Sequence, residues 1–183
     1  MDGFFVPEKS WPYSQNFGSP TSEVLPYRDN LDYEIDLMVS KPLKPAGEWT
    51  SAGAQRIIVH VESDCDFEKL LANLKEKVEL GIALNIQTSN DILHPLVEQF
   101  DFIQCMGIEK IGYQGEPFSE RVIPKIEDLR KRYPDAIISV DGGVNFENAP
   151  RLVKAGASRL VSGSTIWNAL NIKEAIERLA NSR

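Results

Sequence analysis

The stretch ISVDGGVN, residues 138–145, is an apolar run that ends in an aspartate and two glycines ahead of a helix-forming segment. It predicts a buried strand that turns directly into a helix. Ligands of parallel α/β proteins bind at the carboxyl ends of strands, where paired glycines let backbone N–H groups approach a phosphate. An ordinary Asp-Gly turn has the same residues, so the stretch alone leaves a ligand site and a plain turn open.

Two more glycine turns follow strand-like runs. LVSGST at 160–165 again joins an apolar run to a small-residue turn and a short helix. Two successive strand ends of this kind form one phosphate cradle in barrels. GYQG at 112–115 comes after the run that ends at Met106, and it predicts either a lid over a substrate or an ordinary surface loop.

From Tyr33 onward the chain alternates short apolar runs with amphipathic segments, which is the pattern of a βα repeat. The predicted strands are Tyr33–Met38, Arg56–Glu62, Gly81–Ile86, Phe102–Met106, Ala136–Val140 and Arg159–Ser162. The predicted helices are Pro45–Ala52, Asp66–Val78, Asp91–Gln99, Phe118–Tyr133, Asn148–Ala155 and Ile172–Ala180. The first thirty residues, rich in Pro, Ser and Asn, predict loop with one short helix near Thr21–Tyr27.

Strict alternation predicts a parallel sheet in one domain spanning residues 1–183, either an open doubly wound sheet or a closed (β/α)₈ barrel. A barrel has eight strands and at least about 200 residues, so 183 residues with six predicted strands favour the open sheet on count alone. A formal net charge of −7 disfavours nucleic-acid binding. No apolar run approaches the roughly 20 residues that span a membrane. Cys65 and Cys105 have no CxxC spacing, which fits a reducing cytoplasm.

Charged residues inside strands are candidates for function. Asp36 lies between Ile35 and Leu37, where a buried carboxylate is costly unless it is paired or binds a metal. His60 and Glu62 share one face of their strand because side chains alternate. The pattern leaves open whether His60 is a hydrogen-bonded core histidine or a ligand.

Six segments, in matching order and spacing, resemble the ribulose-phosphate 3-epimerase family. MDGFFVP at 1–7 resembles the family's MDGxFVP, DLMV at 36–39 with Pro42 its HLMVxxP, and VHVE at 59–62 its HxE strand. GYQGEPF at 112–118 is similar to the GFGGQxF loop, and VDGGV at 140–144 and SGS at 162–164 match the last two strand ends.

The resemblance implies a (β/α)₈ TIM-type barrel and outweighs the strand count. The family's MDG segment follows its second strand, so this chain is expected to be an incomplete barrel of about six parallel strands that lacks the first two. We expect the natural protein to begin upstream of Met1. The edge strands of an incomplete barrel expose unpaired N–H and C=O groups, which predicts association into homo-oligomers.

The resemblance also implies metal-assisted interconversion of D-ribulose 5-phosphate and D-xylulose 5-phosphate through an enediolate, with two aspartates as acid and base. Asp141 carries over as one of these aspartates and as a metal ligand; the second lies in the missing segment. The residues that carry over as phosphate, substrate or lid contacts are Gly112, Tyr113, Gln114, Gly115, Gly142, Gly143, Gly163 and Ser164. The methionines that coincide with family methionines at the reaction site are Met1, Met38 and Met106.

The expected cofactor is a divalent metal, Mn²⁺, Mg²⁺, Zn²⁺ or Fe²⁺. The family's metal-binding histidine is Asp36 here, and a carboxylate in place of an imidazole favours Mn²⁺ or Mg²⁺. Two other functions stay open. One is a catalytically silent barrel that binds a sugar phosphate. The other is an epimerase or decarboxylase that acts on a different sugar phosphate.

Overall fold

The computed structural model describes residues 25, 27, 29–113 and 115–182. Six parallel strands form one sheet in chain order. The strands are β1 Glu34–Leu37, β2 Arg56–His60, β3 Glu79–Leu84, β4 Phe102–Met106, β5 Ile137–Asp141 and β6 Arg159–Val161. The prediction of six parallel strands is confirmed. Each strand pairs with the next strand along the chain, which is the order of a barrel wall. The doubly wound alternative is wrong, because its strand order reverses within the sheet.

Helices connect most of these strands. They are α1 Leu43–Ala52, α2 Phe67–Leu74, α3 Val122–Arg132, α4 Ala149–Ala155, α5 Ser164–Trp167 and α6 Ile172–Ala180. The helix predicted at Asp91–Gln99 is wrong: two 3₁₀ turns, Asn90–Leu93 and Val97–Gln99, stand there. Pro95 between them has no N–H to continue a helical hydrogen-bond ladder.

The start of α2 shows why helices form where the pattern places them. Asp66 caps the helix by accepting a hydrogen bond from the Lys69 N–H at 3.0 Å, which satisfies one of the free donors of the first turn. Leu70, Leu71 and Leu74 are buried on one face. The helix ends at Leu74 instead of the predicted Val78, and Lys75–Lys77 form a turn.

The two faces of the sheet have different surroundings. Residues such as Ile57 and Ile103 point outward and join the main core under the helices. Their neighbours Ile58 and Phe102 point inward and form a small separate cluster with Ala83. This division follows from the two-residue period of a strand.

The inward face is curved so strongly that the two edge strands meet at their amino ends. Arg159, the first residue of β6, forms an ion pair with Glu34, the first residue of β1. The Arg159 guanidinium also lies 4.4 Å from the centroid of the Phe102 ring, a favourable cation–π arrangement. Gly81 on β3 leaves the room that this ring occupies, since a Cβ there would overlap it. The sheet is thus a curled half-barrel whose amino end is closed by charge pairing.

No helix among the described residues is long and apolar enough to cross a membrane.

We expect the Glu34–Arg159 pair to contribute measurably to the free energy of unfolding. A double-mutant cycle with Glu34→Ala and Arg159→Ala should give a coupling energy of about 1 kcal/mol, the upper end for pairs that keep some exposure. The exposed Lys173–Glu177 pair on α6 is the matched control, with about 0.3–0.5 kcal/mol expected for an i,i+4 pair. Urea unfolding of the single and double variants measures both, and equal coupling in the two cycles contradicts the closure.

Candidate functional site

A cavity of about 460 Å³ opens at the carboxyl ends of β5 and β6. Most of the residues predicted for the site line it together: Met38, Gly112, Tyr113, Gly115, Asp141, Gly142, Gly143, Gly163 and Ser164. The other lining residues are Glu116, Val144, Val161 and Ser162. Residues that follow β1, residues of β5 and β6, and residues of the loop after β4 therefore converge on one space, at the end of the sheet where barrel proteins bind ligands.

The remaining predicted residues lie elsewhere. Met106 is fully buried beside the cavity, in a cluster with Ile108 and Ile111 against which Met38 packs. Asp36 lies deeper in the half-barrel and does not line the cavity. Gln114 and Met1 lie outside the described residues.

The Gly142–Gly143 turn has a backbone that side chains rarely adopt, with φ values of +104° and +68°. A Cβ on Gly143 would lie 2.7 Å from the Cα of Phe118, and one on Gly142 would lie 2.9 Å from Ile108 Cγ1. The loop that begins at Gly107 packs directly on this turn. Glycine is therefore required here by both conformation and space.

Backbone hydrogen bonds fix the base of the same loop. The Gly107 N–H donates to the Asp141 carbonyl at 2.6 Å, and the Ser119 N–H donates to the Gly107 carbonyl at 2.8 Å. Gly107 is itself packed so tightly that a Cβ would overlap the Gly142 carbonyl oxygen. The start of the loop after β4 is thus hydrogen-bonded to the end of β5 at Asp141.

Asp141 is the carboxyl group that lies at the end of β5 in the cavity wall. Burial raises the pKa of Asp141 to about 7, and the negative charge of Asp36 contributes in the same direction. A group with such a pKa exchanges a proton near neutral pH, which is what general acid–base chemistry requires.

Below the cavity, His60 is fully buried between two carboxylates. Its Nε2 is 3.1 Å from Asp36 Oδ1 and its Nδ1 is 3.6 Å from Glu62 Oε2. Burial by itself lowers the pKa of His60, but the hydrogen bonds and charges of Asp36 and Glu62 outweigh it and raise the pKa to about 9. His60 is therefore a paired core histidine, and Asp36 has the partner that its burial demands.

Two residues of this region are missed by sequence reasoning. Gln104 on β4 donates from Nε2 to Asp36 Oδ2 at 2.9 Å, and Ser139 on β5 donates to Gln104 Oε1 at 3.4 Å. Both are buried. The signal was present: each is a polar residue at an inward position of a strand whose outward neighbours are apolar.

The described residues do not by themselves fit a metal ion. Among them no group of three or more His, Cys, Asp or Glu side chains is arranged to hold one. Both Asp36 oxygens already accept hydrogen bonds. The divalent metal therefore stays a prediction from the family resemblance.

The two cysteines and the second histidine do not contribute reactive groups to the cavity. Burial raises the pKa of the Cys105 thiol to about 12 and that of Cys65 to about 11, so both are thiols at neutral pH. His94 is exposed on the surface.

Comparisons with known proteins agree with the motifs. A model described as the ribulose-phosphate 3 epimerase family matches residues 1–167. The ribulose-phosphate 3-epimerase of Bacillus subtilis is 30% identical over 100% of this chain and 84% of its own length. That of Synechocystis is 32% identical over 100% of this chain and 80% of its own length. That of Schizosaccharomyces pombe is 32% identical over 85% of this chain and 68% of its own length.

Solved structures agree with the barrel class. KGPDC from Streptococcus mutans superposes with a TM-score of 0.63 and 15% identity, covering 84% of this chain and 72% of that one. The 3-hexulose-6-phosphate synthase from Salmonella typhimurium superposes with a TM-score of 0.62 and 16% identity, covering 76% of this chain and 66% of that one. At these identities the likeness shows the fold alone, and it confirms a TIM-barrel-type architecture.

The contact between Gly107 and the Gly142 carbonyl predicts that Gly107→Ala destabilises the protein. The backbone must move to admit the methyl group, which costs about 1–3 kcal/mol in a close-packed region. Gly47→Ala is the matched control, because Gly47 lies inside α1 with open space around its Cα. Replacing a helical glycine stabilises by roughly 0.5–1 kcal/mol. Urea or thermal unfolding compares the two variants, and equal effects contradict the tight approach.

Proposed function

This chain belongs to the ribulose-phosphate 3-epimerase family, and we propose that it interconverts D-ribulose 5-phosphate and D-xylulose 5-phosphate. The observation that carries the proposal is the position of Asp141: a buried carboxyl group with a pKa of about 7 shares one cavity with three glycine-rich turns. A base that titrates near neutral pH next to a phosphate-sized backbone cradle suits proton transfer on a sugar phosphate.

In this mechanism Asp141 removes the proton from the carbon next to the ketone. Burial makes the carboxylate a stronger base than a free aspartate. Inversion requires that a proton returns to the opposite face of the enediolate. The family resemblance assigns that step to a second aspartate, which stays a prediction.

The substrate phosphate is held by backbone N–H groups of Gly143, Gly163 and Ser164. Within the described residues no backbone or side-chain oxygen accepts a hydrogen bond from these three N–H groups, and all three residues line the cavity. The described lining contains no Lys or Arg, so backbone donors at the start of α5 are the source of positive potential. Met38 supplies an apolar wall, and Tyr113 with its glycine neighbours forms the lid.

A second candidate is a catalytically silent sugar-phosphate-binding barrel. It is favoured by the absence of a metal-binding group among the described residues. Titration with ribulose 5-phosphate, with and without Mn²⁺, separates the two, because only the enzyme also yields xylulose 5-phosphate. A panel of pentulose and hexulose phosphates tests whether another sugar phosphate is preferred. We also propose that the protein is cytoplasmic and that it forms homo-oligomers.

Asp141→Asn should lower epimerase turnover by about 10²-fold or more, because the amide cannot accept the proton. Substrate binding should remain, since the backbone cradle is unchanged. Asp135→Asn is the control, as Asp135 is an exposed aspartate outside the cavity. Coupled turnover assays and calorimetric binding of ribulose 5-phosphate measure both quantities. Unchanged epimerisation in Asp141→Asn refutes the assignment.

Gly163→Val should abolish saturation by substrate, because the isopropyl group occupies the place assigned to the phosphate. Gly163→Ala, with one methyl group, should have a smaller effect on KM. Calorimetric binding of inorganic phosphate reports the same site without turnover. Normal sugar-phosphate binding by Gly163→Val would show that the cradle lies elsewhere.

A further inference from the structure

Gln104 is a polar residue in the middle of the inward face of the half-barrel, and the proposed function does not explain it. It is only 1% exposed and stands on β4 between the inward residues Phe102 and Met106. Burying an amide in such surroundings is unfavourable unless its donors and acceptor are hydrogen-bonded. The buried Gln104 amide is therefore expected to have hydrogen-bond partners at both its nitrogen and its oxygen.

Both ends of the Gln104 amide have partners. Nε2 donates to Asp36 Oδ2 at 2.9 Å, and Oε1 accepts from the Ser139 hydroxyl at 3.4 Å. The hydroxyl and the carboxylate need opposite ends of the amide, so the pair defines its orientation. Ala83 is the inward residue of β3 that pairs with Gln104. Its small side chain leaves room for Gln104 to reach β1 across the concave face.

Asp36 is held from a second direction by His60. His60 Nε2 lies 3.1 Å from Asp36 Oδ1, so each carboxylate oxygen has its own nitrogen partner. The other side of His60 faces Glu62 Oε2 at 3.6 Å. Glu62 in turn accepts hydrogen bonds at Oε1 from the Asn85 N–H at 2.8 Å and from the Thr88 hydroxyl. The result is a continuous polar network that joins β1, β2, β4 and β5 beneath the cavity.

We propose that Gln104 is a positioning residue of this site, which together with His60 holds Asp36 as a fixed hydrogen-bond acceptor near Asp141 and not as a metal ligand. Each Asp36 oxygen accepts one hydrogen bond and keeps one further lone pair, so a cation at either oxygen would lie close to the N–H hydrogens of Gln104 or His60 and compete with them. The proposal rests on the proposed function only for the identity of the site, because the network itself is defined by contacts among buried and partly buried residues.

The imidazole of His60 reports this network directly, and the chain has only two histidines. We expect Gln104→Met, an apolar change of similar volume, to shift the ¹H and ¹⁵N resonances of the His60 ring, because Asp36 is released from one side. The exposed His94 ring should not move. Gln99→Met is the matched control, since Gln99 is exposed and its side-chain amide donates to the nearby Pro95 carbonyl. Unshifted His60 resonances in Gln104→Met overturn the positioning role.

Paramagnetic Mn²⁺ tests the second half of the proposal on the unaltered chain, so the test does not depend on the folding of a variant. A Mn²⁺ ion on Asp36 would broaden the His60 ring signals selectively, since the ring nitrogen is within hydrogen-bond distance of that carboxylate. We expect no selective broadening at one equivalent of Mn²⁺. Selective loss of the His60 signals, with His94 unaffected, overturns the proposal. Neither measurement needs turnover. A lack of epimerase activity would therefore contradict the proposed function alone, whereas the spectra test the role of Gln104 and Asp36 separately.

Discussion

A carboxylate inside a curled sheet must be paired, and the pairing of Asp36 with His60 is the interaction on which the rest of the site depends. The two groups are 3.1 Å apart and His60 has no exposed surface. Because an isolated charge is so costly in an apolar interior, Glu62 and Gln104 are drawn into the same network as further partners. The inward face of the half-barrel consequently combines this polar network with a small apolar cluster of Ile58, Ala83 and Phe102.

The same network modulates the acidity of the group in the cavity above it. Burial is the main cause that raises the pKa of Asp141 to about 7; the negative charge of Asp36 adds to this rise and the charge of His60 opposes it. A carboxyl group on the surface would have no comparable tendency to hold a proton. The curled sheet thus brings the Asp36–His60 pair on β1 and β2 close to a proton-exchanging group at the end of β5, although β5 is far from β1 and β2 in the sequence.

Membership of the ribulose-phosphate 3-epimerase family and the TIM-barrel-type fold are established by sequence likeness along the whole chain and by structural likeness. One departure from the family's motifs lies in the network described above. Asp36 stands where the resemblance places a metal-binding histidine, and its two oxygens contact His60 and Gln104. The amino end of the half-barrel is closed independently by Glu34 and Arg159.

The sequence by itself determined the six strands, their parallel direction and the glycine turns that line the cavity, because apolar periodicity and glycine positions are local signals. It also marked Asp36 and His60 as buried groups that need partners. Only the tertiary structure decided that they are partners of one another, that Gln104 and Ser139 extend the pair, and that Arg159 meets Glu34 across the sheet edges. Alternation assigns a residue to a face of its own strand, whereas contacts between strands depend on register and curvature, which no single segment encodes.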